Sequence, residues 1–333
     1  MSLLFYTASK KTMKYEGYVL NDYKILKSIF KNKLNYFSLK NFFFKEKKVI
    51  YIWWVLRSFH VTLLSKLFNK KVILVVGGNE VYLFNKKKLK KLSIDTKFIF
   101  IKKYLFLLSL HLCDEIFCVS DLIKKNIPKS IEKQKIKVFY NSIDTNIFTI
   151  NKNIKKKYIL AICTFDKYSL RIKNIFNLLE AFKKFSKINK KIKLLIIGKS
   201  GNQIKKVTDL VVYLGLNERV NIKLDVDNKN IKKYYQESFL YYNVSLTETF
   251  GLSIGESMAC GTPCLTSDRG SIRKIYGKSV IYSKLDSGSI YLAFKNFFNS
   301  SSNNKKKLRD FILNNYSNSI KTKKFNIFFK RYL

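Results

Sequence analysis

The chain has 333 residues, of which 47% are hydrophobic and 15% aromatic, which is enough to fill the cores of two domains of roughly 150 residues each. This composition excludes a disordered chain. The 65 basic and 22 acidic residues give a formal net charge of +43. Two explanations stay open: a functional basic surface, or an AT-rich coding sequence that favours Lys, Asn, Ile, Phe and Tyr. Because the lysines form no single stripe interleaved with aromatic residues, we predict no nucleic-acid groove.

Cysteine spacing and the length of the apolar runs indicate the compartment. None of the five cysteines forms a C-x-x-C pair, so we predict buried thiols in a reducing compartment and no zinc site. The longest apolar runs, "VIYIWWVL" and "YLFLLSLHLC", are shorter than the ~20 residues that cross a bilayer. The start, "MSLLFYTASKK", favours a first strand over a signal peptide. We therefore predict a cytoplasmic protein whose contact with the membrane is limited to its inner face.

The first half alternates apolar runs with amphipathic stretches. The predicted strands are "VIYIWW", "KVILVV", "EIFCVS" and "KIKVFY", and the predicted helices between them include "HVTLLSKLF" and "FIFIKKYLFLLSL". Such alternation predicts parallel strands with helices on both faces of the sheet.

The pattern breaks at the polar stretch "NKNIKKK" and then starts again. The strands "YILAIC", "KLLIIG", "FLYYNVSL" and "TPCLTS" follow, with the helix "NIFNLLEAFKKFSKI" after the first of them. The sequence thus predicts an α/β protein of two doubly wound parallel-sheet domains, at residues 1–151 and 152–316. We expect the tail, 317–333, to be a helix that packs back toward the first domain.

The stretch "TETFGLSIGESMACGTPCLT", at 247–266, places two acids around the start of a predicted helix. Glu248 follows an apolar strand, Gly251 lies near the helix start, and Glu256 lies within the helix. Backbone N–H groups at a helix start suit a diphosphate, and carboxylates accept hydrogen bonds from vicinal hydroxyls of a sugar. From spacing alone, an alternative stays open: Glu248 caps the helix and Glu256 is a solvated surface residue.

The stretch "ETFGLSIGESMACGTPCLTSDRGSIRKI" resembles the Glu-x7-Glu segment of the family 4 retaining glycosyltransferases. Upstream, "CDEIFCVSDLIKKNI" and "KIKVFYNSIDTNIF" resemble that family's domain junction, with Asn141, Asp144 and Phe148 in place. The resemblance runs from about residue 45 to 285. It implies the GT-B fold, in which two Rossmann-like domains face each other across a cleft, with the acceptor on the first domain and a nucleotide-sugar on the second.

The resemblance also implies roles for residues of the second domain. Glu248 would contact hydroxyls of the transferred sugar, and Glu256 would hold the ribose. The backbone of three neighbouring residues would line the donor: Phe250, Gly251 and Leu252.

The phosphate-binding loop departs from the family pattern. In "CTFDKYSLRIKN", Lys173 matches the family's lysine, but the Gly-Arg that should precede it is missing. Arg171 or Lys167 is the candidate for the second charge, and Arg171 alone offers a bidentate fork. The alternative is a solvated basic turn. The resemblance further implies donor contacts at Gly198, in "IIGKSGN", and at Val226, in "IKLDVDN".

The first domain offers fewer candidates for the acceptor side. Gly77 and Gly78 stand where many relatives have a histidine. His60 follows a predicted strand and is a candidate cleft residue, with a helix cap or a core position as the alternative. Glu16 and Gly17 fall in the first loop, where relatives contact donor phosphate or acceptor.

The resemblance implies catalysis without a metal or a cofactor. Lys173 and Arg171 would stabilise the departing diphosphate, and the acceptor hydroxyl would attack from the face that the leaving group vacates. The expected function is retaining transfer of a hexose-type sugar from a UDP- or GDP-sugar to a glycan or lipid-linked acceptor in cell-surface polysaccharide or glycolipid synthesis. An anionic membrane surface is a further expected partner. Two alternatives stay open: a nucleotide-sugar epimerase or hydrolase on the same fold, and a non-catalytic basic protein that binds membrane or nucleic acid.

Overall fold

A computed structural model of the chain describes residues 2–7, 17–43, 47–85, 97–300 and 304–332. The chain divides into two compact units, one made of residues 1–142 with 316–333 and the other of residues 143–315. Each unit contains one six-stranded sheet. All five cysteines are buried and free, as the sequence predicts. None of the helices in these ranges is long and apolar enough to cross a membrane.

The first unit is built on a parallel sheet in the order β2-β1-β3-β4-β5-β6. Its strands are β1 Ser2–Tyr6, β2 Leu34–Tyr36, β3 Lys47–Trp53, β4 Lys71–Val76, β5 Glu115–Cys118 and β6 Ile136–Val138. Its first helices are α1 Gly17–Phe30, α2 Leu39–Phe43, α3 Phe59–Leu67, α4 Ile99–Leu112 and α5 Asp121–Lys125. The apolar runs of β3 and β4 are buried because helices cover both faces of a parallel sheet.

The second unit repeats this plan, with a parallel sheet in the order β12-β11-β10-β7-β8-β9. Its strands are β7 Tyr158–Thr164, β8 Lys193–Lys199, β9 Val220–Leu224, β10 Ser238–Asn243, β11 Cys264–Ser267 and β12 Ile281–Ser283. Its helices are α6 Lys167–Ile172, α7 Ile175–Ile188, α8 Ile204–Tyr213, α9 Ile231–Glu237, α10 Leu252–Ala259, α11 Ile272–Tyr276, α12 Ser287–Asn299 and α13 Lys305–Asn315.

Helix α7 shows why these segments fold as they do. Leu178, Phe182 and Phe185 recur at helical spacing and are buried in the core of the second unit, whereas Lys184 and Lys187 are exposed. An apolar stripe at this period must be covered by a sheet or another helix. The predicted α/β architecture, with two doubly wound parallel sheets, is confirmed.

Each sheet has one point at which the order of its strands reverses, between β1 and β3 and between β7 and β10. At such a point the loops that leave the carboxyl ends of the two strands diverge to opposite faces of the sheet. The crevice between them is where open α/β sheets bind ligands.

The boundary between the units falls after Ser142, earlier than the predicted boundary at 151. Hydrogen bonds explain this difference. The Arg309 guanidinium donates to the carbonyl oxygens of Phe148 (2.6 Å) and Thr145 (2.9 Å), and Gln236 Nε2 donates to the Thr149 oxygen (2.5 Å). These bonds fix the segment 143–151 to the second unit.

The last helix, α14 (Asn318–Phe329), belongs to the first unit. Its Lys321 forms a buried ion pair with Asp22 of α1, and the side chains of the two residues are 6% and 1% exposed. The Tyr51 hydroxyl donates to Asp22 Oδ2 at 2.6 Å. The Phe325 and Phe329 rings pack into the same core.

We predict that Lys321→Met lowers the free energy of unfolding by roughly 3–5 kcal/mol, because Asp22 would stay buried without its counter-charge. Urea denaturation followed by circular dichroism measures this. The matched control is Lys205→Met, which breaks an exposed ion pair with Asp209 and should change stability by less than about 1 kcal/mol. Equal effects of the two substitutions would contradict the prediction.

Candidate active site

Glu248 and Lys173 are in direct contact in the second unit. Glu248 Oε1 accepts hydrogen bonds from Lys173 Nζ (2.5 Å), Ser245 Oγ (3.1 Å) and Asn243 Nδ2 (3.2 Å). Lys173 Nζ also donates to Asn243 Oδ1 at 3.0 Å. The acid and the base that the sequence singles out therefore share one polar cluster, and Asn243 holds both of them.

This cluster lies where the strand order of the second sheet reverses. Lys173 follows α6 on the carboxyl side of β7, and Glu248 follows the carboxyl end of β10. The Leu246 N–H donates to the Ile172 oxygen at 2.8 Å, which ties the two loops together. The cluster thus occupies the crevice where this class of sheet binds ligands.

The backbone of Glu248 is held by a glycine on the following loop. Gly270 has φ +72°, and a Cβ placed on it would overlap the Glu248 carbonyl oxygen. The same oxygen accepts a hydrogen bond from the Ser271 N–H at 3.0 Å. The loop after β11 therefore lies directly against the Glu248 backbone and holds it in place. So close an approach requires a glycine at position 270.

Helix α10 begins immediately after this loop. Gly251 is its N-cap, with φ +74°, and its carbonyl oxygen accepts a hydrogen bond from the Tyr276 hydroxyl at 2.9 Å. Glu248 does not cap the helix, since its carboxylate binds Lys173 instead, so that alternative is wrong. The first N–H groups of α10, at Leu252 and Ser253, have no intrahelical acceptor. The Phe250 ring is buried, with its centroid 6.1 Å from that of Tyr276.

Glu256 lies in the second turn of α10 and is partly buried. Its Oε2 accepts a hydrogen bond from the Tyr235 hydroxyl at 2.9 Å. Burial raises the pKa of the Glu256 carboxyl to about 7, an effect that the Tyr235 hydrogen bond partly offsets. The alternative of a solvated surface residue is wrong, because Tyr235 and the core below it remove water from this side chain.

Arg171 does not join the cluster of Lys173 and Glu248. It lies exposed on α6 and lines a cavity of about 480 Å³ together with Lys167 and Lys206. The lining of this cavity also includes Leu246, on the loop that carries Glu248. The two basic residues named for the missing arginine are thus together in one cavity, whereas Lys173 is turned toward Glu248.

Gly198 and Val226 lie on the opposite side of β7 from Glu248. A Cβ on Gly198 would overlap the Cys163 carbonyl oxygen of β7, so this glycine permits close packing of the two strands. The Asp225 N–H donates to the Gly198 oxygen at 2.8 Å, which brings the partly exposed Val226 to the same carboxyl edge of the sheet.

In the first unit, two tryptophans explain why glycines stand at positions 77 and 78, where the family resemblance leads us to expect a histidine. A Cβ on Gly77 would lie 2.7 Å from the Trp53 ring, and one on Gly78 would lie 2.9 Å from the Trp54 ring. Trp54 has φ +71°, and the Tyr18 ring centroid lies 5.2 Å from that of Trp53 and 6.0 Å from that of Trp54. Indole rings fill the space that a side chain at 77 or 78 would need.

His60 lies exposed near the start of α3, so it is not a core residue. Its Nε2 is 3.3 Å from the Tyr6 hydroxyl at the carboxyl end of β1. The strand order of the first sheet reverses beside this pair. Gly17 is the exposed first residue of α1, and Glu16 lies outside the described residues.

Sequence reasoning missed several residues that complete these sites. Asn243 and Ser245 are buried polar residues at the end of an apolar strand. Polar residues in that position of the sequence could have been predicted to belong to the site. Gly270, Trp54 and Tyr6 gave no such signal, because their roles depend on contacts with distant parts of the chain.

Comparison with known proteins decides the family. The family model described as "Glycosyl transferases group 1" matches residues 142–314, just over half of the chain. The chain belongs to the group 1 glycosyltransferases. The matched range begins at the boundary between the two units and contains Lys173, Glu248 and Glu256.

Curated relatives of this glycosyltransferase are distant. The O-antigen chain mannosyltransferase RfbU of Salmonella typhimurium is 27% identical over 182 residues, which are 54% of this chain and 49% of the relative. The N-acetyl-alpha-D-glucosaminyl L-malate synthase of Bacillus anthracis is 28% identical over 160 residues, 46% of this chain and 39% of the relative. The matches thus span about half the length of the first relative and less of the second.

Solved structures support the fold of this glycosyltransferase. Anabaena HepE in complex with UDP superposes with a TM-score of 0.77 at 12% identity, over 99% of this chain and 100% of HepE. A glycosyltransferase from Rickettsia africae gives a TM-score of 0.71 at 15% identity, over 99% and 97% of the two chains. The fold is therefore GT-B, as the resemblance implies.

We predict that Gly270→Ala destabilises the second unit more than Gly215→Ala does. Both glycines have positive φ, +72° and +67°, but a Cβ on Gly215 has open space around it. The control should therefore show only the backbone cost of about 1–2 kcal/mol. Gly270→Ala adds the displacement of the Glu248 backbone. Urea denaturation compares the two variants, and equal losses would show that Gly270 does not hold Glu248 in place.

We predict a pH-dependent difference in stability between the wild type and Glu256→Gln. Because the folded-state pKa is raised to about 7 from an ordinary value near 4.5, the folded chain binds more protons than the unfolded chain between these values. The wild type should lose up to about 3 kcal/mol relative to the variant as the pH rises from about 4.5 to 7. Melting temperatures of both proteins across this range measure the effect, and parallel curves would contradict it.

Proposed function

We propose that this group 1 glycosyltransferase transfers a hexose-type sugar, with retention of configuration, from a UDP- or GDP-sugar to a glycan or lipid-linked acceptor. The observation that carries the proposal is the contact between Lys173 and Glu248 at the strand reversal of the second unit, beside the start of α10. Anion-binding N–H groups, one cation and one fixed acid are then within one crevice, which suits a nucleotide-sugar.

In the proposed donor complex, the diphosphate lies at the N–H groups of Leu252 and Ser253. Lys173 then moves from Glu248 to the phosphate oxygens, where its charge is needed. Glu248 is released to accept hydrogen bonds from hydroxyls of the sugar, and Glu256 accepts those of the ribose. Because Asn243 and Ser245 also bond to Glu248, its carboxylate keeps its orientation after Lys173 leaves.

In the proposed transfer step, the bond between the sugar C1 and the phosphate oxygen breaks. The acceptor oxygen bonds to C1 on the same face, and its proton passes to the departing diphosphate. Lys173 and the α10 N–H groups stabilise the negative charge that develops there. The proposal assigns no step to a metal ion or a cofactor, and it places Arg171 out of direct contact with the diphosphate.

The acceptor is proposed to bind the first unit at the carboxyl ends of β1 and β3. His60, Tyr6 and Trp54 present polar and aromatic groups there, and aromatic faces suit the apolar face of a sugar ring. RfbU is by name an O-antigen chain mannosyltransferase, and HepE has been solved with UDP and glucose. These names support a hexose and a glycan acceptor, with the cytoplasmic side of the membrane as the proposed place of reaction.

We predict that one nucleoside diphosphate among UDP, GDP, ADP and CDP raises the melting temperature of the wild type. At about 100 times its dissociation constant, a ligand adds about 2.7 kcal/mol of stability, or roughly 5–10 °C for a unit of this size. Glu256→Ala should lose most of this shift. If no nucleotide shifts the wild type, the donor site is refuted and a non-catalytic binding protein becomes the better account.

We predict that Glu248→Gln lowers the transfer rate by roughly 100-fold or more while nucleotide binding is kept, because the charge that orients both the sugar and Lys173 is lost. The assay incubates the nucleotide-sugar with and without a glycan acceptor and separates the sugar products. Release of free sugar or of an isomerised nucleotide-sugar, without transfer, would favour the hydrolase or epimerase alternative.

A further inference from the structure

Helix α4 is apolar on the side that faces solvent. Its sequence is "IFIKKYLFLLSLHL", and the side that faces the first unit buries Phe106, Ser109 and Leu110. On the outer side, Phe100 is 83% exposed, Tyr104 65% and Ile101 57%. A surface helix of a globular protein normally presents polar residues to solvent. Packing against the core therefore does not explain the exposed apolar residues of α4.

The exposed residues form one patch. Phe98, in the turn before α4, is 65% exposed, so four large apolar side chains lie within seven residues, on successive turns. Isolated exposed hydrophobic residues are ordinary on protein surfaces, but a contiguous patch marks an interaction site. We call Phe98, Phe100, Ile101 and Tyr104 the α4 face.

Lysines border the α4 face, so a partner that binds there should be negatively charged. Lys103 Nζ lies 5.9 Å from the centroid of the Phe84 ring and 6.0 Å from that of Phe100, and Lys97 Nζ lies 5.6 Å from that of Phe98. The sequence from 97 to 112 contains no acidic residue. The patch is therefore both apolar and positively charged.

We propose that the α4 face docks the enzyme on an anionic phospholipid surface. Aromatic and aliphatic side chains bordered by lysines are the composition of helices that lie in the membrane interface. Each lysine near such a surface adds attraction to the anionic headgroups. A second copy of the chain is a poorer occupant, because two α4 faces brought together would place lysines against lysines.

This inference rests on the proposed function, because docking at a membrane would bring the enzyme to a lipid-linked acceptor. The docking itself involves no residue of the donor site. Nucleotide-induced thermal shifts therefore test the donor site in the same variants, and the two proposals fail separately.

The experiment is flotation of the full chain with vesicles of phosphatidylcholine, with and without phosphatidylglycerol, at physiological salt. We expect binding only to the anionic vesicles. Phe100→Ser/Ile101→Ser/Tyr104→Ser should weaken it on the order of a hundredfold. Lys102→Gln/Lys103→Gln should weaken it roughly tenfold. Both variants should keep the wild-type nucleotide shift.

The matched control is Val212→Ser/Tyr213→Ser, which removes two apolar side chains of α8, 61% and 82% exposed, in the second unit. This control should bind vesicles as the wild type does. If the triple variant fails to fold, the lysine variant, which leaves the apolar residues unchanged, carries the test.

Four results would overturn the proposal. They are no binding of the wild type to anionic vesicles, equal binding to pure phosphatidylcholine, an equal loss in the α8 control, and a wild-type dimer in gel filtration that the triple variant converts to monomer. The last result would identify the α4 face as a contact between copies of the chain.

Discussion

The bond between Lys173 Nζ and Glu248 Oε1 joins two loops whose residues are 75 positions apart in the sequence. It exists because β7 and β10 are neighbours in the sheet although two other strands separate them along the chain. The parallel order with its reversal is therefore the constraint on which the site depends. Any change that shifted β7 relative to β10 would separate the Lys173 amine from the Glu248 carboxylate, even if both side chains kept their own conformations.

Glycines and buried polar residues keep this geometry rigid. Gly270 lets the chain after β11 lie against the Glu248 backbone, and Gly251 gives α10 a start at positive φ. Asn243 accepts from Lys173 and donates to Glu248, so both charged groups are oriented before a ligand arrives. Preorganised dipoles of this kind stabilise charge without having to reorganise during a reaction.

The two units use the same sheet plan with different chemistry at the carboxyl edges of their strands. The second unit places charged groups and N–H donors there, which suits a nucleotide-sugar. The first unit places Tyr6, Trp54 and His60 there, and Gly77 and Gly78 make room for the indole rings.

The sequence alone determined the α/β class and the two parallel sheets, because hydrophobic period is a local property. Its resemblance to the family 4 glycosyltransferases, and not spacing by itself, selected Lys173, Glu248 and Glu256 as candidate site residues. Tertiary structure alone decided four other matters. Strand β2 forms from the basic, aromatic segment around Leu34 only because it pairs with β1 at a sheet edge. Arg171 and Lys173 are two positions apart at the end of α6, about 200° around the helix axis, so their side chains leave the helix on opposite sides. Gly270 holds Glu248, and Lys321 pairs with Asp22 in the tail helix that the sequence already predicts to pack on the first domain. Packing brings these distant residues together, and no local pattern in the sequence encodes their contacts.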